Sequence, residues 1–401
     1  MRIAMISDVS FPRVNGVSTS IATFRQDLGA LGHEVTLIAP DYGIAAEGDD
    51  SVLRVAGRSV PRDPEDRLMR RSAIRRLIPR LTERRPDVLH IHTPFVAHYA
   101  GIEIARALDL PVVTTYHTYF EHYFQHYVPF VPRRLLAALA RRVTVAQCAA
   151  ADVVISPSVA MRDALRAYGV KDRIEVLPTG LGEDCYRPGD GERFRAARGI
   201  EQSRPLALHV GRAAHEKNID FLLRMLLPLR HAVPNVLLVI AGEGPALPHL
   251  KDLARALGIA DHVLFVGYLE RTRALADCYA AGDVFVFSSR TETQGLVLLE
   301  AMAQGTPVVS NVEMGTRDVL VADRGARIVP LEEPVFAAAV QQLLTDRHAR
   351  SELSHAAREH ALSWSSEAMA EKLADLYRDV AKPRRFVMSC TGFPQAPELE
   401  Q

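Results

Sequence analysis

Neither sign of charge is in surplus in this sequence of 401 residues: 48 Lys and Arg balance 48 Asp and Glu. That excludes the one-signed field by which nucleic-acid binders hold their ligand, and no nucleic-acid partner is expected. Cysteine is scarce. Cys148, Cys185, Cys278 and Cys390 have neither metal-ligand spacing nor the density of a disulfide framework, which suits a reducing, cytoplasmic setting. No apolar run approaches the roughly 20 residues that cross a bilayer, so membrane contact is expected to be peripheral, on the inner face of the cell membrane. The opening MRIAMISD lacks the small-residue cleavage site of a secretory leader and reads as a strand. No G-x-G-x-x-G follows it, which argues against a dinucleotide enzyme. No D-x-D ends a strand, so no metal is expected.

What the sequence does contain is strands alternating with helices, in two rounds. The first runs through RIAMIS, EVTLIAP, DVLHIH, PVVTTYH and DVVISPS; the second through LALHVGR, NVLLVIAGEG, HVLFVGY, DVFVFSS and TPVVSN. Short β-branched runs joined by helices imply parallel sheets with right-handed crossovers. The length suits two cores of roughly 150–200 residues each. The expected fold class is therefore α/β, with two doubly wound domains at 1–178 and 179–365, joined where Gly and Pro cluster between 178 and 205. A last helix at 366–381 is expected to cross back to the first domain, and 382–401 to be a disordered tail.

Ligands of open parallel sheets bind beyond the carboxyl ends of the strands. After the first strand, Asn15-Gly16 permits a turn with φ above zero, and Ser18 or Thr19 can cap the next helix, whose free amides attract phosphate; a plain turn would use the same residues. After LALHV, Arg212 and Lys217 lie five apart in a loop, a forked guanidinium and a flexible ammonium that can both reach a diphosphate. After DVFVFSS comes RTETQGLVLLEA. Gly295 lets backbone approach a ligand, and the amides of Gly295, Leu296 and Val297 are the free donors of a helix start. Glu292 lies just outside that helix, and Glu300, inside it, can accept from vicinal hydroxyls.

Strand, E-T-Q-G, helix, second Glu and A-x-x-x-G-x-P-V-V together resemble the signature of retaining glycosyltransferases of family 4, whose GT-B fold sets two Rossmann-like domains face to face across a cleft. The resemblance spans about residues 1–380 and takes in the loop at Gly16, TTYHTYF with His117, GRAAHEK and AGEGP. It implies a catalytic set of His117, Glu292, Arg212 and Lys217. Arg212 and Lys217 would neutralise the donor diphosphate, Glu300 would hold the ribose, and Glu292 a sugar hydroxyl. The amides at Gln294 and Gly295 would complete the sugar pocket, His117 would sit near the anomeric centre, and Gly242 and Gly244 would flank the base. It also implies a nucleoside-diphosphate sugar as co-substrate, no cofactor, and attack on the same face of the sugar. Glucose or mannose is the expected hexose; uridine and guanosine donors are not distinguished.

Two arginine-rich stretches point to the acceptor. RLMRRSAIRRLIPRLTERR, 67–85, places Met69, Ala73, Leu77 and Leu81 on one helical face with Arg70, Arg71, Arg75 and Arg76 towards the other, although Pro79 interrupts it. VPRRLLAALARRV, 131–143, makes a stripe of Leu136, Leu139 and Val143 flanked by Arg134, Arg141 and Arg142. Such helices can rest on anionic lipid or pack on the sheet with solvated arginines. Between them an aromatic and histidine-rich segment with Tyr119, His126 and Tyr127 resembles the diacylglycerol glucosyltransferase branch of the family. A lipid-linked hydroxyl at an anionic membrane surface is the favoured acceptor. The alternatives are a soluble sugar or polyol phosphate, a sugar-nucleotide epimerase of the same architecture, and a non-catalytic binding module.

Overall fold

The computed structural model describes residues 1–13, 15–43, 49–60, 63–117, 133–270 and 273–382. The first sheet begins with β1 (Arg2–Ile6), β2 (Glu34–Pro40) and β3 (Val52–Val55). A separate antiparallel hairpin follows, β4 (Gly57–Val60) and β5 (Asp63–Met69), and then β6 (Val88–Ile91), β7 (Val112–Thr115), β8 (Val153–Ser156) and β9 (Ile174–Val176) complete the sheet. The order is β3-β2-β1-β6-β7-β8-β9, parallel throughout. The second sheet takes β10 (Leu206–Val210), β11 (Leu237–Ala241), β12 (Val263–Gly267), β13 (Val284–Phe287), β14 (Val308–Ser310) and β15 (Ala326–Ile328), in the order β12-β11-β10-β13-β14-β15. Helices cover both faces of each sheet, which is why the central strands are apolar on both sides rather than alternating.

In each sheet the strand order reverses beside the first strand, at β1 and at β10. The crevice outside their carboxyl ends is where such a sheet leaves room for a ligand.

Helix Ser366–Val380 packs into the first core. Met369, Ala370, Leu373, Leu376 and Tyr377 recur at helical spacing and lie against Ile3, Met5, Ile21, Phe24 and Leu28. The chain thus crosses between the domains twice. At the crossing, Leu181 N–H donates to the Trp364 carbonyl at 2.7 Å and Ser366 N–H to the Leu181 carbonyl at 3.0 Å.

The single basic helix expected over 67–85 is not formed. Asp63–Met69 is a strand of the hairpin, followed by two short helices, Arg71–Arg75 and Ile78–Arg84. Pro79 lacks an N–H to continue the first helix and instead occupies the opening turn of the second. The stripe is not available to lipid either. Met69, Ile74 and Leu81 are buried against the sheet, with Ala73 and Leu77 packed beside them, while Arg71 and Arg75 both pair with Glu103.

Candidate active site

Two loops at the carboxyl ends of β10 and β13 are braced against each other. Asn218, left-handed at φ 55°, follows Lys217 and donates from Nδ2 to the Ser288 carbonyl at 3.1 Å, while Ser288 Oγ donates to the Asn218 carbonyl at 2.9 Å. This reciprocal pair places Lys217 Nζ 2.5 Å from Glu292 Oε2, with both side chains largely shielded from solvent. Half-buried Arg212 lies earlier in the same loop. Gly295 takes φ 97° and opens helix Leu296–Ala303, whose first amides have no side-chain cap, so the donors of Leu296 and Val297 remain oriented towards the loop. The structure therefore brings Lys217, Glu292 and a helix start together, with Arg212 earlier in the loop that carries Lys217.

Glu300 is buried in that helix and accepts from the Tyr279 hydroxyl at 2.8 Å. Tyr279 was not legible as a site residue, because only the packing of helix Ala274–Ala281 brings it there.

Gly242 and Gly244 do not merely line the site. A Cβ on Gly242 would lie 1.9 Å from the Gly211 carbonyl oxygen, and one on Gly244 2.5 Å from that of Ala213. The turn is a backbone-to-backbone buttress under the Arg212 loop, with Ala213 N–H donating to the Glu243 carbonyl at 2.9 Å. Gly242, at φ 134°, also has a backbone conformation that side chains disfavour. Gly242→Ala is thus expected to lower stability by roughly 3 kcal/mol or more and to abolish donor binding. Gly16→Ala is the control, read by thermal melting and nucleotide titration. No atom lies within 4 Å of a Cβ on Gly16, and its φ is not left-handed. That corrects the reading of Gly16 as a positive-φ turn. Asn15 is the helix cap: its side chain accepts from Ser18 N–H at 2.9 Å and its own backbone N–H donates to Ser18 Oγ at 2.9 Å, so Ser18 completes the cap and the Thr19 side chain is not the capping group.

Across the cleft, half-buried His117 follows β7. Its Nε2 lies 3.2 Å from His92 Nδ1, and the ring of His92 lies against that of His90, with centroids 3.9 Å apart. His90 in turn bonds Tyr377 Oη at 2.6 Å and Thr115 Oγ1 at 2.7 Å. Burial pushes His117 down to about 4 and His90 to about 3, so both rings are neutral near pH 7. A neutral His117 can exchange hydrogen bonds with a substrate hydroxyl without adding charge. Among the described residues, no group of three or more His, Cys, Asp or Glu is placed to hold a metal ion.

The model of Glycosyltransferase Family 4 matches residues 14–184, and that of Glycosyl transferases group 1 matches 190–360. The alpha-monoglucosyldiacylglycerol synthase of Streptococcus pneumoniae is 31% identical over 400 residues, covering 96% of this chain and 87% of its own. The chain belongs to glycosyltransferase family 4.

The GDP-mannose-dependent alpha-mannosyltransferase of Mycobacterium tuberculosis is 29% identical, over 95% of this chain and 97% of its own. Among solved structures, sucrose-phosphate synthase from Thermosynechococcus elongatus superposes with a TM-score of 0.77 at 22% identity, covering 94% of this chain and 98% of that one. The glycosyltransferase thus has the GT-B fold, its sheets being the two Rossmann-like halves.

In its first domain the glycosyltransferase presents helix Arg133–Cys148. Leu135, Leu139 and Val143 are 62%, 57% and 39% exposed, one turn apart on the outer face. Leu136, expected in that stripe, is half-buried instead, because the helix turns its 135 face outward. Arg134, Arg141 and Arg142 are exposed around the stripe, and Arg141 lies over the Tyr168 ring. Arg70 and Arg76 are exposed on the hairpin side. Tyr119, His126 and Tyr127 fall outside the described residues. No helix among the described residues is long and apolar enough to cross a membrane.

Proposed function

We propose that this glycosyltransferase moves a hexose, glucose or mannose, from a nucleoside-diphosphate sugar to a lipid-linked hydroxyl such as that of diacylglycerol, with retention at the anomeric carbon. The observation that carries the lipid acceptor is the exposed Leu135, Leu139 and Val143 stripe with its arginine border. It continues towards His117: at the end of that helix, Gln147 Nε2 donates to the Pro94 carbonyl at 2.8 Å, and Gln147, Pro94 and His117 line one small cleft. Apolar side chains that stay exposed beside cations suit the headgroup region of an anionic membrane. The names of the relatives support the same reading, two of those found being alpha-monoglucosyldiacylglycerol synthases.

In the proposed reaction the bond from the anomeric carbon to the diphosphate oxygen breaks. Arg212, Lys217 and the amides of Leu296 and Val297 meet the charge that grows on the leaving group. The acceptor oxygen forms its bond on the same face, and its proton passes to the departing phosphate. Glu292 holds a sugar hydroxyl, Glu300 the ribose, and His117 the sugar near the reacting carbon. Because protein cations meet the diphosphate charge, transfer needs no metal.

The test combines a panel of uridine and guanosine diphosphate sugars with vesicles of anionic phospholipid containing diacylglycerol. A variant with Leu135, Leu139 and Val143 changed to Ser is expected to lose vesicle flotation and transfer to diacylglycerol, while keeping nucleotide affinity. Undiminished flotation and transfer would reject the lipid reading. Transfer to a sugar or polyol phosphate alone would establish the soluble acceptor.

A further inference from the structure

Gln294 stands two residues after Glu292, in the middle of the loop assigned to the donor sugar. Its side chain is only 5% exposed and is fully engaged elsewhere. Thr179 N–H donates to Gln294 Oε1 at 2.9 Å, and Gln294 Nε2 donates to the Thr179 carbonyl at 2.6 Å. A primary amide paired to both polar groups of one residue imitates a rung of a β-ladder. Thr179 belongs to the linker between the domains, so this rung joins the donor loop to the hinge.

The path continues. Thr179 Oγ1 lies 2.7 Å from Ser20 Oγ, and Ser20 sits in helix Gly16–Ala30 of the first domain. All three side chains are buried. The next residue, Gly180, has no room to shift, since a Cβ there would lie 2.4 Å from Ser366 Cα in the second crossing. The donor loop is held on its other side as well. Gly315 N–H donates to the Glu292 carbonyl at 2.8 Å, and Asp318, three residues on, accepts from Val159 N–H of the first domain.

We propose that Gln294 is a positioning residue: it fixes the donor loop against the first domain through the path Gln294, Thr179, Ser20. It touches no reacting atom. What it sets is the placement of Glu292 and the Gly295 helix start relative to His117 and the Gly16 helix, which come from the other half of the molecule. The functional part of this inference rests on the reading of the Glu292 loop as the donor-sugar site; the tie itself does not. Misplacement by about 1 Å across a site assembled from two bodies is enough to cost a hundredfold in rate, whereas the nucleotide, held within the second domain, is untouched by it.

The test uses the full chain with Gln294→Met, which keeps the volume and loses both bonds, and Gln294→Glu, which keeps an acceptor and loses the donor. Three quantities are measured: amide exchange of the peptide containing Thr179, affinity for free uridine and guanosine diphosphates, and kcat for transfer. Gln294→Met is expected to speed exchange at Thr179 about tenfold and to lower kcat about 10- to 100-fold. Nucleotide affinity should stay within about threefold, with Gln294→Glu in between. Ser20→Ala should lower kcat less and should add little to Gln294→Met, since both cut one path. Unchanged exchange in Gln294→Met would overturn the tie whether or not any nucleotide sugar binds. Exchange that rises with kcat unchanged would overturn the positioning role. A loss of nucleotide affinity equal to the loss of kcat would place Gln294 in the donor pocket instead. If the wild-type protein binds neither nucleotide, the donor reading fails by itself, and the exchange measurement still decides the tie.

Discussion

Lys217→Met is expected to slow transfer about a thousandfold, close to 4 kcal/mol of transition-state stabilisation, with the melting temperature nearly unchanged. The asymmetry follows from where the ammonium sits. Its pair with Glu292 is largely shielded but keeps contact with water, at 22% and 17% exposure, and such an isolated pair contributes about 1 kcal/mol to folding, far less than the effect on the rate. In the proposed reaction the same ammonium faces a diphosphate whose charge increases as its bond to the anomeric carbon opens. Lys217→Arg keeps the charge but replaces a point donor by a planar fork, and should recover only part of the rate. The measurement is initial rate at saturating donor beside a thermal melt. A Lys217→Met enzyme within tenfold of wild type would mean that the diphosphate charge is met elsewhere.

The second large effect is loss of stability in mild acid. Burial pushes His90 down to about 3, and His98, His117 and His209 to about 4; it also lowers His92, which lies between His90 and His117. Each ring binds a proton more readily in the unfolded chain than in the folded one. The stability they confer is therefore present above about pH 6.5 and is lost as pH falls towards their folded values. At pH 5, 1.5 units below the ordinary histidine value, each of the four with a value costs about 2 kcal/mol. Four of the five rings lie in the first domain. Its melting temperature should consequently fall by roughly 10 °C or more between pH 7.5 and 5. Asp8, raised to about 6 by burial beside Thr93 and Ala97, acts in the opposite sense and favours the fold as pH drops through 6. Asp8→Asn removes that offset and should steepen the acid loss. A melting temperature flat across this range would show that the rings stay solvated.

The parts of the site legible in the sequence were those set by short-range grammar. A loop placed after a buried strand locates Arg212, Lys217 and Glu292 on the ligand side of a sheet, and Gly295 marks a place where backbone can approach a ligand. What depended on tertiary packing was not legible. Helical spacing of Met69, Ala73, Leu77 and Leu81 suggested one helix, yet Met69 closes a strand and Pro79 divides the remainder. Periodicity alone cannot tell which of Leu135 and Leu136 faces outward. The stacked pair of His92 and His117, the Tyr279 bond to Glu300 and the grip of Gln294 on Thr179 each join residues distant in the chain, and no local pattern marks them.

The double crossing between the halves also has a genetic reading. With helix Ser366–Val380 completing the first core, the second domain is an insertion within the first rather than a successor to it. Its two ends meet at the Leu181 and Ser365 bridge. Shortening the gene from its 3′ end into that helix should therefore unfold the half encoded at the 5′ end. Splicing the codons on either side of the insertion, from Gly180 to Ser366, should yield the first domain as a continuous protein.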